Sequence, residues 1–88
     1  MARLDLQGAG TPCAGGTAQP EMLFQLGMMY ATGRDCDMDL VAAHKWLNIA
    51  AIKGSERAAQ MRAELAGAMS KAEIARALRE AREWMTQH

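Results

Sequence analysis

The amino-acid sequence predicts an all-α fold of two antiparallel αα-hairpins in a helical-repeat arrangement. Three observations predict it. The apolar half of the chain is mostly Ala, Leu and Met, with four aromatic residues (Phe24, Tyr30, Trp46 and Trp84) and few β-branched ones, a mixture that suits helices better than strands. Beyond residue 19 the apolar residues recur at intervals of three and four, the helical period. The breaks in that period fall at glycines and at Asp or Ser residues, which stop and start helices.

Residues 1–19 carry Gly8, Gly10, Gly15 and Gly16 with Thr11, Pro12 and Thr17 and no apolar period. They are expected to form a flexible leader, with Leu4 and Leu6 as weak docking groups. A first helix is expected over 20–32. Pro20 suits its first turn, where the missing N–H would have had no partner. Leu23, Leu26, Gly27 and Tyr30 fall on one face, and Gly33 ends the helix in the left-handed conformation that a glycine adopts cheaply. Residues 33–38 form a tight loop, after which Asp37 or Asp39 caps a second helix by accepting a bond from a free backbone N–H.

The second helix runs to about Lys53. Leu40, Ala43, Trp46, Leu47 and Ala50 make its stripe, and Val41, Ile49 and Ile52 spread apolar surface round the rest of its circumference. A helix of that kind is covered on more than one side, so it is expected at the centre. Gly54 stops it, and Ser55 caps a third helix over about 55–68, with Glu56 in the first turn where the helix dipole favours negative charge. Ser70-Lys71-Ala72-Glu73 is a capping box, flanked by Met69 and Ile74 at staple positions. The fourth helix, about 71–86, turns Ile74, Ala77, Leu78, Ala81, Trp84 and Met85 inward. Arg76 with Glu80, and Arg79 with Glu83, lie one turn apart on its outer side, each pair worth about 0.2–0.5 kcal/mol. The chain thus divides into a leader (1–19), a hairpin (20–54) and a second, capping hairpin (55–88).

Ten basic side chains balance ten acidic ones, so there is no electrostatic drive toward nucleic acid or anionic lipid. No apolar run approaches the roughly 20 residues of a membrane-spanning helix, and no apolar h-region marks a signal peptide, so a cytoplasmic setting is expected. Cys13 and Cys36 share no metal-ligand spacing. Two free thiols are expected, with a Cys13–Cys36 bridge as the alternative.

The stretch from Leu26 to Gly54 is the most specific. It reads Leu26-Gly27, Tyr30, Gly33, then Asp39, Ala43, Trp46, Ala50-Ala51 and Gly54, a spacing of L-G-x-x-Y-x-x-G followed by D-x-x-x-A-x-x-W-x-x-x-A-A-x-x-G. The pattern resembles one Sel1-like repeat, an αα-hairpin unit related to tetratricopeptide repeats. Each position also has a physical use. Gly27 inside a helix costs about 1 kcal/mol relative to Ala, and close approach to Ala43 and Ala50 is the expected compensation. Tyr30 and Trp46 supply large buried surface and are expected to wedge the two helices together. Asp35 stands where many such repeats have a second loop glycine, and Asp tolerates the left-handed conformation better than most residues. Cys36 replaces a usual small apolar residue. A shift of 36 residues places Leu26 on Arg62, Tyr30 on Ala66 and Trp46 on Arg82, so the last two helices do not repeat the motif and are expected to cap it. The resemblance implies an adaptor or scaffolding role in protein assemblies.

Candidate chemistry is sparse. His44 lies at the edge of the second helix's stripe and is expected to be packed or half-exposed. Asp35, Asp37 and Asp39 alternate like a calcium loop but lack its glycine and distal glutamate. Cys36 is expected to be structural, and Arg76, Arg79 and Arg82 alternate with Glu73, Glu80 and Glu83 on a solvated face. There is no nucleophile–base pair, paired acid, phosphate loop or metal cluster, so no enzyme, cofactor or metal is expected. The wheel places Phe24 and Met28, with Ala31, opposite Leu26 and Tyr30, and Met22 and Met29 border them. These residues are either an uncovered patch for a partner, the leader or a second chain, or ordinary core of a tighter bundle. On the first reading Phe24, Met28 and Met29 anchor another protein, with Arg34 at the rim. The functional expectation is a non-catalytic protein–protein interaction module, with a self-associating helical domain, a homodimer through this patch, as the alternative.

Overall fold

The computed structural model describes residues 19–87, and among them every regular element is a helix: α1 (Pro20–Thr32), α2 (Leu40–Ile52), α3 (Glu56–Ala66) and α4 (Lys71–Gln87). The expected leader lies outside the described residues except for Gln19, and so does Cys13. None of these helices is long and apolar enough to cross a membrane.

The termini follow the local chemistry. Gly33 takes φ 75° at the end of α1, its N–H donating to the Met29 carbonyl at 2.8 Å while Arg34 N–H reaches the same oxygen at 3.1 Å. Asp35 follows at φ 65°, the left-handed geometry expected where the repeat pattern has glycine. Of the two candidate caps for α2, Asp39 is the one used: its Oδ1 accepts from Ala42 N–H at 3.1 Å. Ser55 Oγ accepts from Ala58 N–H at 3.1 Å to open α3. The chain leaves α3 at Ala66, short of residue 68, through three successive i→i−3 bonds from Gly67, Ala68 and Met69, the tightened turn that uses up a helix's last carbonyls. The capping box before α4 closes in both directions, Glu73 N–H to Ser70 Oγ at 3.1 Å and Ser70 N–H to Glu73 Oε1 at 2.8 Å. Arg76 pairs with Glu80 at 2.9 Å, whereas the Arg79–Glu83 pair is not formed and both side chains are exposed.

Helix α2 is the centre, packed by α1, α3 and α4, while α3 and α4 meet through α2 rather than through each other. Its Ala43, Leu47, Ile49 and Ala50 are fully buried. The closest approach is between α1 and α2 at Gly27. A β-carbon there would stand 2.7 Å from Leu47 Cγ, 2.8 Å from Cδ2 and 3.2 Å from the Leu47 backbone nitrogen. The partner of the glycine is therefore Leu47 rather than Ala43 or Ala50. Trp46 serves a different seam, meeting Trp84 of α4 edge to face at 5.4 Å and 79°, a favoured aromatic geometry. Lys45 Nζ lies 4.4 Å from the outer centre of the Trp46 ring. Tyr30 and Trp46 are both half-buried, so the α1–α2 wedge expected from them is made by Gly27 and Leu47.

The buried face of α1 also differs from the wheel's main stripe. Leu23, Phe24 and Gly27 are buried, whereas Leu26 and Tyr30 are half-exposed. With Gly27 as the contact, Phe24 and Tyr30 flank it at similar angles and Leu26 stands about a quarter turn away. Helix α3 returns on the Phe24 side, where the Arg57 guanidinium covers the ring at 4.4 Å, and that third element decides which flank is covered.

Two outcomes follow from this packing. An exposed mid-helix Gly→Ala change stabilises by about 1 kcal/mol, but Gly27→Ala drives a methyl into a fully buried Leu47 and is expected to lower stability by about 1–2 kcal/mol, the range for overpacked cores; urea midpoints check the sign. Trp84→Ala removes the α4 side of the aromatic pair and is expected to cost about 2–3 kcal/mol, with backbone amides of α4 losing hydrogen-exchange protection before those of α1 and α2.

Candidate functional site

The face of α1 turned away from Leu47 carries an apolar concavity. Glu21, Met22, Gln25, Leu26 and Met29 line a groove of about 390 Å³ whose walls are almost wholly apolar. Met22 is 49% exposed, and Leu26 and Met29 are half-buried. The three stand at i, i+4 and i+7, the spacing of a helix–helix seam. Gln25 Nε2 donates to Glu21 Oε2 at 2.9 Å along the rim, so the polar members of the groove satisfy each other and leave the methionines and leucine as its unpartnered groups.

The residues expected to anchor a partner are divided by this geometry. Phe24 is 4% exposed and belongs to the core with Leu23, Leu47, Ile49, Ala50, Ala58 and Ala81. Met28 packs half-buried against that core. For these two the tighter-bundle alternative is the one found, and the expectation that they lie uncovered is corrected. Met29 lines the groove, and Arg34 is exposed just past it, its backbone held on the Met29 carbonyl. Met22, a bordering residue in the wheel reading, and Leu26, placed there on the buried stripe, are the groove's other apolar walls.

The glycines, the alanines and Asp39 of the Leu26–Gly54 pattern hold the hairpin together. Gly27 admits Leu47, Gly33 ends α1, Asp39 caps α2, Ala43 and Ala50 are fully buried, Ala51 packs half-buried on the core, and Gly54 takes φ 116° between α2 and α3. Cys36 is a free, half-buried thiol whose Sγ donates to the Met29 carbonyl at 3.6 Å, in keeping with a structural role.

A second, larger concavity of about 510 Å³ lies where the starts of α1 and α3 converge, lined by Gln19, Pro20, Glu21, Gly54, Ser55, Glu56 and Arg57. Two helix N-termini would attract an anion, but Glu21 and Glu56 already place negative charge in both first turns. Among the described residues no three His, Cys, Asp or Glu side chains come together as metal ligands; Asp39 is engaged as a cap, and Asp35 and Asp37 are exposed.

His44 is more enclosed than the wheel indicated, at 3% exposure. Asn48, one turn on, is 7% exposed and accepts a bond at Oδ1 from Arg62 Nη1 of α3. Its sequence signal is the polar i, i+4 pair His44 and Asn48 in a helix whose other residues, Lys45 apart, are apolar. Compared with protein-family models, with curated proteins and with solved structures, the chain matches none.

Proposed function

We propose that the chain is a non-catalytic protein–protein interaction module of the Sel1-like repeat type, in which the α1 groove receives an apolar helix face of another protein. The observation that carries this reading is the uncovered Met22–Leu26–Met29 row. Apolar groups at i, i+4 and i+7 on one helix match the period of a helix laid against them. Methionine side chains adjust their shape to varied surfaces, and Glu21 and Arg34, both exposed nearby, set orientation at the rim. The Leu26–Gly54 pattern supports the repeat assignment because its glycines, alanines and Asp39 hold the hairpin rather than line the groove. A second copy of the chain is the alternative occupant, favoured by the near-symmetry of the row, since antiparallel pairing lets Met22 and Met29 exchange places.

The test is the double variant Met22→Glu/Met29→Glu in the full chain. Both side chains lie outside the buried core, so its helical circular dichroism is expected to be unchanged and its stability within about 1 kcal/mol of wild type. Immobilised wild-type protein is expected to retain a defined partner that the variant binds at least about tenfold more weakly, a loss of about 1.4 kcal/mol. Equal retention by both proteins, or none by the wild type, overturns the module reading. Concentration-dependent dimerisation in sedimentation, lost in the variant, would seat a second copy in the groove instead.

A further inference from the structure

We infer that His44, Asn48 and Arg62 form an acid-sensitive latch between α2 and α3, closed while the His44 imidazole is neutral and opened when it takes up a proton. His44 is almost fully enclosed, and its Nδ1 has no hydrogen-bond partner. Asn48 lies one helical turn beyond it, also buried, and ties α2 to α3 by accepting from the Arg62 guanidinium. That guanidinium has no carboxylate partner among the described residues. The seam therefore already holds one positive charge, on a half-buried guanidinium bonded to the Asn48 amide oxygen. Arg62 is the charged group that bears on His44 from α3, and no ionised side chain of α1 or α4 among the described residues bears on it. Burial first, and the Arg62 charge second, hold His44 below its ordinary value of 6.5.

The sign of the pH dependence follows. Above about pH 6.5, the unfolded value, the imidazole is neutral in both states and the latch is closed. As pH falls below that value the unfolded or opened chain takes up a proton that the closed seam refuses. The closed-to-open ratio then drops by up to about tenfold per pH unit, until the pH reaches the lowered value of the closed state. A protonated imidazole facing Arg62 favours separation of α3 from α2. Separation uncovers Phe24, which Arg57 of α3 overlies, and the side of α2 on which Ala58, Met61 and Leu65 pack.

The test compares the full-length chain with His44→Gln, which keeps a polar side chain of similar length but cannot ionise in this range. His88 is present in both proteins, so the difference reads His44 alone. Between about pH 7.5 and 5.5 the wild-type melting temperature is expected to fall by about 4 °C or more, with α3 amides losing hydrogen-exchange protection, while His44→Gln stays level. A wild-type protein without that fall, or a variant that falls in parallel, overturns the latch. Should His44→Gln fail to fold, the imidazole is titrated by NMR in the wild type and in Arg62→Gln. His44 is expected to titrate below 6.5 and to move upward when the guanidinium is removed; titration at or above that value, or no response to Arg62→Gln, overturns the latch equally.

Discussion

The structure depends on one close approach. With no β-carbon on Gly27, α1 lies against Leu47 so closely that even an alanine methyl would overlap that side chain. This contact sets the distance of α1 and the side it turns to α2, and the return of α3 over Phe24 settles which flank is covered. Given Gly27 as the inward point, Leu23 and Phe24 are carried toward α2 and α3, and Met22, Leu26 and Met29 are carried to the far side. The core and the candidate binding surface both follow from this close approach together with the return of α3.

The second constraint is that α2 carries three neighbours at once. Its Leu47 faces α1, its Trp46 meets Trp84 of α4, and its Asn48 is bonded to Arg62 of α3. A small chain gains a continuous core in this way without a second hydrophobic layer, at the cost of placing polar groups inside. His44 and Asn48 are those groups. Removing a polar side chain from water without a full set of partners is unfavourable, and Asn48 meets that cost at the α2–α3 seam through its bond to Arg62.

Much of this was legible in the sequence because it is local. Pro20, Gly33, Asp39, Ser55 and the Ser70–Glu73 box act on backbone groups within a few residues, so the helix boundaries could be read one after another. The central place of α2 followed from apolar residues all round its circumference. The rotation of α1 was not legible, because a wheel ranks faces by hydrophobicity and both faces of this helix are apolar. Only the return of α3, with Arg57 over Phe24, decides between them. For the same reason the wheel marks Phe24 as a possible anchor and Leu26 as core. The partner of Trp46 was hidden likewise: an aromatic residue in a central helix announces burial but not which neighbour supplies it.

The orientation of α1 is the claim on which the core and the binding groove both rest, and it is open to a direct solution measurement. With a soluble paramagnetic agent added to the isotope-labelled chain, the Met22 methyl signal is expected to be strongly attenuated while the Phe24 ring protons keep nearly full intensity. Equal attenuation at Phe24, or a protected Met22 beside an attenuated Phe24, would mean that α1 presents its other face to α2, contradicting the Gly27–Leu47 contact and the groove built on it.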